Sequence, residues 1–202
     1  MPKKFPLLFL FLLALLTLPF AKAHAAGHSM EIFAKVSASK KYLNKDSYIV
    51  DVTGSTGFGW MLFSQVRLEG RITIASQNQN KLDVASGSVV AHLENLISEN
   101  TIYSLGFDID LLPDKYSVQP FIYIGAGYIV TERSYDVVDQ GVRYPITEAK
   151  QTGISGNGGI GLRIKLNKSA AFEIEAFGYG QDIDQPSPLV NVFASAGLRL
   201  FM

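Results

Sequence analysis

The chain has 202 residues, no cysteine, and equal numbers of basic and acidic side chains, 18 of each. Lack of cysteine excludes a disulfide framework and thiolate metal sites. The charge balance lacks the basic excess of a nucleic-acid binder, so no nucleic acid is expected as a partner, and the length suits one domain.

In chain order, Lys3 and Lys4 come first, then an unbroken apolar run from Leu7 to Phe20, then Ala23-His24-Ala25. A charged start, an apolar middle and a small-residue end make a secretory signal peptide. Cleavage is expected after Ala25, with Ala23 as the alternative, leaving residues 26–202 as the mature domain. The run is 14 residues long, short of the roughly 20 that a membrane-spanning helix needs. Loss of Lys3, Lys4 and Lys22 leaves 15 basic residues against 18 acidic ones, a net charge of −3. No later stretch is long and apolar enough for a spanning helix. The mature chain is therefore either water-soluble or a barrel, because only helices and closed barrels satisfy every backbone group in lipid.

Strand side chains alternate between two faces, so each segment can be split by parity. Eight strands are predicted, over about 31–40, 47–63, 66–76, 99–112, 117–132, 152–166, 170–181 and 189–202. The second, "SYIVDVTGSTGFGWMLF", contains Gly54-Ser55-Thr56, a possible turn. Tyr48, Val50, Val52, Phe58, Trp60 and Leu62 nevertheless keep one parity through it, which favours a single long strand. A turn there would make nine strands, against the even count of bacterial outer-membrane barrels. The third strand sets Val66, Leu68, Ile72 and Ile74 against Arg67, Glu69 and Arg71. The fourth opposes Tyr103, Leu105, Phe107 and Ile109 to Ser104, Gly106, Asp108 and Asp110. The sixth shares Ile154, Ile160, Leu162, Ile164 and Leu166 on one face and Ser155, Asn157, Arg163 and Lys165 on the other. The seventh sets Phe172, Ile174 and Ala176 against Glu173 and Glu175.

Links near Ser64-Gln65, Pro113-Asp114 and Asn167-Lys168 are tight, whereas 77–98, 133–151 and 182–188 are longer and 41–46 is a short outer loop. Short turns alternating with long loops are the outer-membrane pattern. Alternation alone does not tell this from a soluble barrel, which hides its apolar face inside. The charges decide. With a three-residue turn at 167–169, Leu166 pairs with Ala170 and Arg163 stands opposite Glu173, as a lumen demands, where an unpaired charge costs several kcal/mol. Gly125, Gly127, Gly159, Gly161 and Gly197 fall on the same inner face and leave room for large side chains. The predicted lumen network comprises Arg67, Glu69, Arg71, Asp108, Asp110, Arg163, Lys165, Glu173, Glu175 and Arg199.

"QPFIYIGAGYIVTE", "GISGNGGIGLRIKL", "AAFEIEAFGYG" and the final "LVNVFASAGLRLFM" resemble strands of the small outer-membrane barrels typified by the transmembrane domain of outer membrane protein A. The likeness runs over about 99–202. It implies an all-β, eight-stranded antiparallel up-and-down transmembrane β-barrel in the cell outer membrane, with no counterpart of the larger relatives' periplasmic peptidoglycan-binding domain. The family's insertion signal reads polar, any, glycine, any, any, hydrophobic, any, aromatic. Ser195, Gly197, Leu200 and Met202 fall into its specified places with methionine in the aromatic slot, and Phe201 points inward.

Chemistry is thin. The mature chain holds His28 and His92 only, neither beside a strand-borne serine and acid, so no catalytic triad is read. The pairs Asp108/Asp110 and Glu173/Glu175 are read as balancing the lumen bases rather than as acid–base catalysts. "GISGNGGIG" lacks the strand-to-helix context of a phosphate loop, and Asp182 and Asp184 read as a solvated loop tip rather than a calcium site. No cofactor and no metal are expected. In the third outer loop, Asp139-Gln140-Gly141 reads as a hairpin turn from which Tyr135, Arg143 and Tyr144 project, residue types that dominate binding hot spots. The expectation is a non-catalytic structural or adhesion-type role, with a narrow pore and a lipid A-modifying enzyme as alternatives. Expected partners are outer-membrane lipid and lipopolysaccharide, the barrel-assembly machinery, and host or environmental surface molecules.

Overall fold

The computed structural model describes residues 30–42, 47–86, 89–139, 142–181 and 189–202. The proposed signal peptide, His28, Asp182 and Asp184 lie outside them. Nine strands form one antiparallel sheet: β1 (Met30–Tyr42), β2 (Tyr48–Phe63), β3 (Val66–Ser86), β4 (Val89–Asp110), β5 (Val118–Asp139), β6 (Val142–Thr147), β7 (Gln151–Lys165), β8 (Ala170–Gln181) and β9 (Leu189–Phe201). β1 pairs with both β2 and β9, and β4 with β5, so the sheet closes on itself. β6 pairs with β5 above the ring and does not enter it. The ring itself has the eight strands expected.

Register fixes the barrel's geometry. A path of paired residues leaving β9 at Leu200 passes through Ile32, Phe58, Gly70, Leu105, Ala126, Gly156 and Gly180 and returns to β9 at Val190, ten residues from its start. That stagger goes with strands tilted roughly 40° to the barrel axis. β2 runs unbroken through Gly54-Ser55-Thr56, as its parity demanded.

One expectation about the longer connections needs correction. The stretch 77–98 is not a loop: β3 continues to Ser86, β4 starts at Val89, and the two pair as far as Ser86↔Val89. Its composition hid this, because a ribbon with water on both faces needs no apolar alternation, and pairing alone satisfies its backbone. β5 extends to Asp139 and pairs with β6 through Asp139↔Val142, so the strands flanking the expected turn pair with each other, while Gln140 and Gly141 lie outside the described residues. Together β3, β4, β5 and β6 rise above one side of the ring as a four-stranded ribbon. Where it leaves the barrel, β4 shifts register against β5 between Glu94 and Ile97. Asn95 there has φ 53°, a left-handed conformation that asparagine tolerates, and its amide donates to Asp136 Oδ2 at 3.0 Å.

Candidate functional site

One parity of every ring strand faces the lumen, and there the charged side chains meet. Arg199 on β9 reaches Glu31 Oε2 at 2.9 Å, Glu69 Oε2 at 2.7 Å, Asp108 Oδ2 at 3.2 Å and Glu173 Oε1 at 2.6 Å. Arg163 on β7 binds Glu173 Oε1 at 2.6 Å, as the turn at 167–169 required, together with Asp108 Oδ2 at 2.8 Å and Asp110. Arg67 bridges Glu31 Oε1 at 2.8 Å and Asp110 Oδ2 at 2.7 Å. Lys35 on β1 lies 2.8 Å from Glu173 Oε2 and 2.7 Å from Glu175 Oε2. All are buried, with Arg163, Arg199, Glu31 and Glu173 at 0% exposure. Taking such charges out of water costs several kcal/mol each, which only close pairing offsets.

Arg71 caps this ionic layer. Its guanidinium binds Glu69 Oε1 at 2.7 Å and Glu175 Oε1 at 3.1 Å, and lies 4.1 Å from the Tyr123 ring centroid and 4.6 Å from that of Phe177. Beyond it the lumen is aromatic and neutral, with Tyr123, Phe177, Tyr179, Ile102 and Ile129 packed together and Phe193 against them. Glycine makes the rings fit: a Cβ on Gly161 would sit 2.5 Å from Phe121 Cζ, and one on Gly125 would sit 2.5 Å from the Tyr123 hydroxyl.

The other parity is apolar and faces outward. Trp60, Ile124, Ile154, Ile160 and Val192 are among the most exposed large apolar side chains of the described residues. A water-soluble protein would bury these and expose the arginines, and here the order is reversed. The chain is an eight-stranded transmembrane β-barrel.

No family model and no curated protein matches the chain. Among solved structures it is similar to the N-terminal β-barrel domain of Pseudomonas aeruginosa OprF, at 18% identity over 86% of this chain and 97% of that one, with a TM-score of 0.37. Neisserial surface protein A is matched at 15% identity over 88% and 99%, with a TM-score of 0.43. The attachment invasion locus protein Ail of Yersinia pestis is matched at 12% over 88% and 99%, with a TM-score of 0.41.

Of the ten residues assigned to the lumen network, nine lie in it. Lys165 does not. It is half-buried at the mouth ringed by the short turns, where its ammonium binds the Asp114 carboxylate at 2.5 Å and the Asp114 carbonyl. The correction has a plain cause: β7 ends at Lys165, so a side chain of the right parity reaches solvent before the lumen. Its hydrogen bond holds the Asp114 carboxyl below the usual aspartate range. Beside this pair a cavity of about 570 Å³ opens at the same mouth, lined by Glu31, Arg67, Lys168 and Phe201 among others, so Phe201 does turn inward. Ser195 and Gly197 face the lumen, and Met202 at the rim is bound through its amide to the Met30 carbonyl at 2.8 Å.

Glu31 and Lys35 were missed by sequence reasoning. The signal was there, since they alternate with Ile32, Ala34 and Val36 as charged and apolar residues do on β3, β4, β7 and β8. Among the described residues no group of three or more histidines or carboxylates is placed to hold a metal ion.

On the ribbon, cross-strand pairs share a face. Tyr144 pairs with Val137, Val137 with Leu93 and Leu93 with Leu82, which makes one apolar row across four strands. Tyr135 pairs with Ile146 on the same face. The opposite face carries Arg143, whose guanidinium lies 2.6 Å from Glu94 Oε2, and Asp136. Of the three candidate contact residues, Tyr135 and Tyr144 therefore sit together and Arg143 points away from them. At the open edge of the ribbon, Pro145 supplies no N–H, a device that keeps edge strands from pairing with other chains.

Proposed function

We propose that the protein is a non-catalytic outer-membrane barrel that presents its β-ribbon to the outside as a contact surface, an adhesion-type role. The observation that carries the reading is the ribbon's exposed face, where Val142, Tyr144 and Ile146 of β6 stand open to solvent on a support continuous with the ring strands. Rigid aromatic side chains on a fixed scaffold give contact area at small entropic cost. The lumen supports the non-catalytic part, because its buried ionisable groups are engaged with one another rather than held ready for a substrate. It also weighs against a pore, since Arg163, Arg199 and their partners fill the cross-section. The apolar outer wall would meet outer-membrane lipid and lipopolysaccharide after delivery by the barrel-assembly machinery. Host or environmental surface molecules are the class of partner the ribbon would meet.

The test is adhesion of cells displaying the barrel to immobilised host matrix proteins and glycans. Tyr135→Ala with Tyr144→Ala is expected to abolish attachment while the heat-modifiable folded band persists. Attachment unchanged by that double substitution would sink the reading, and sustained single-channel conductance in planar bilayers would favour a pore instead.

A further inference from the structure

The ring's seam is shorter than its other joints. β1 and β9 pair from Glu31↔Phe201 to Val36↔Ala196, whereas β1 pairs with β2 along its whole length and β9 pairs with β8 from Leu189 to Leu200. Above Val36 and Ala196 both strands continue, as residues 37–42 and 189–195. Among the described residues no pairing joins these two stretches. Val192 lies on the lipid-facing parity, four residues above the last pair, and is 72% exposed. Four residues span about 13 Å, so the split lies within the apolar band, in its outer half.

Bare strand edges do not stand in hydrocarbon unless they line a cavity. Behind the split lies the neutral half of the lumen. Phe193 is its nearest ring, 5.3 Å from the Phe177 centroid and 6.4 Å from that of Tyr179. Deeper in, Asn157 stands in register with Tyr179 and is 8% exposed, and neither atom of its amide finds a hydrogen-bond partner. At the top of the same edge Lys40 and Lys41 are exposed, where positive charge suits an anionic headgroup.

We propose that the split between β1 and β9 is a lateral binding site for one acyl chain of an anionic amphiphile in the outer leaflet. The chain enters between the two strand edges and lies against Phe193. The headgroup remains outside, accepting hydrogen bonds from edge amides near Ser39 and the charge of Lys40 and Lys41. The site rests on the membrane-spanning reading and is independent of the adhesion role.

A tryptophan reporter tests this in the folded full-length barrel. With Trp60→Phe, Phe193→Trp supplies the sole tryptophan, and a fatty acid brominated near its chain end is the probe. Continuing the register of Val36↔Ala196 sets Ala38 opposite Ala194. With no native cysteine, Ala38→Cys with Ala194→Cys can close the split as a single disulfide. The expected result is that the probe removes most of the emission at position 193 with the cysteines reduced, and that oxidation restores it. In a parallel double-cysteine protein that keeps Trp60 and Phe193, Trp60, facing lipid, is quenched in both states and reports that the barrel is folded and the probe present. No quenching at position 193, quenching that oxidation leaves unchanged, or cysteines that oxidise spontaneously and completely as the barrel folds would each overturn the site. Lys40→Gln with Lys41→Gln should raise the probe concentration needed for half quenching several-fold, and no change would remove the headgroup part of the proposal.

Discussion

The two halves of the lumen are built on opposite principles within one ring. In the half toward the short turns the long inward side chains are mostly charged, and each charge is answered by partners on other strands, so that Arg199 alone joins carboxylates from β1, β3, β4 and β8. In the opposite half the inward cluster is uncharged, with Tyr123, Phe177 and Tyr179 packed on Ile102 and Ile129, and the amide of Asn157 is left unanswered. The charged half is specified by partners that must all be present at once. The aromatic half is specified by volume and tolerates change.

Substitutions should separate the halves. The largest effect is expected for Arg199→Met, which takes one cation from each of four buried carboxylates. Breaking a buried pair costs about 3–5 kcal/mol, and urea unfolding of the heat-modifiable band should show it, while retention of wild-type stability would erase the contrast between the halves. An intermediate effect, about 1–2 kcal/mol, is expected for Phe193→Ala, because the ring is only half-buried and its loss strips apolar contact without exposing charge. If it matched Arg199→Met, the outer half would be as exacting as the inner. The smallest effect belongs to Lys165→Met at the mouth, under about 1 kcal/mol, as for other solvent-screened pairs. The Asp114 carboxyl is held low by Lys165, so the pair's contribution is present above the usual aspartate range and is lost as pH falls through the lowered value. An acid titration of stability should lose that component in the Lys165→Met variant and keep it in Phe193→Ala.

The difference between the halves also explains what could be read from residues alone. Strands inside the membrane must present grease on one parity and something else on the other, so β4, β7 and β8 announce themselves within a few residues, and the Arg163–Glu173 pairing followed from turn length. The ribbon obeys no such rule. Gln77-Asn78-Gln79-Asn80 is polar on both faces and reads as loop, although it is strand, because the information lies in pairing rather than in partition. Lys165 misled for the opposite reason, since parity gives the face of a side chain but not its depth. The short seam is a relation between the two ends of the ring, which no local pattern reports.

The ionic half also bears on how a ring of this kind reaches one register. If β9 slid two residues along β8, its lipid face would still be apolar, since Leu198 and Leu200 merely exchange places with neighbours of the same kind. The bilayer would accept either arrangement. The slide would carry the Arg199 guanidinium some 6–7 Å along the strand, away from the four carboxylates it now serves. The plug thus acts as a proofreader of strand alignment, rejecting near misses that the surrounding lipid cannot distinguish from the finished ring.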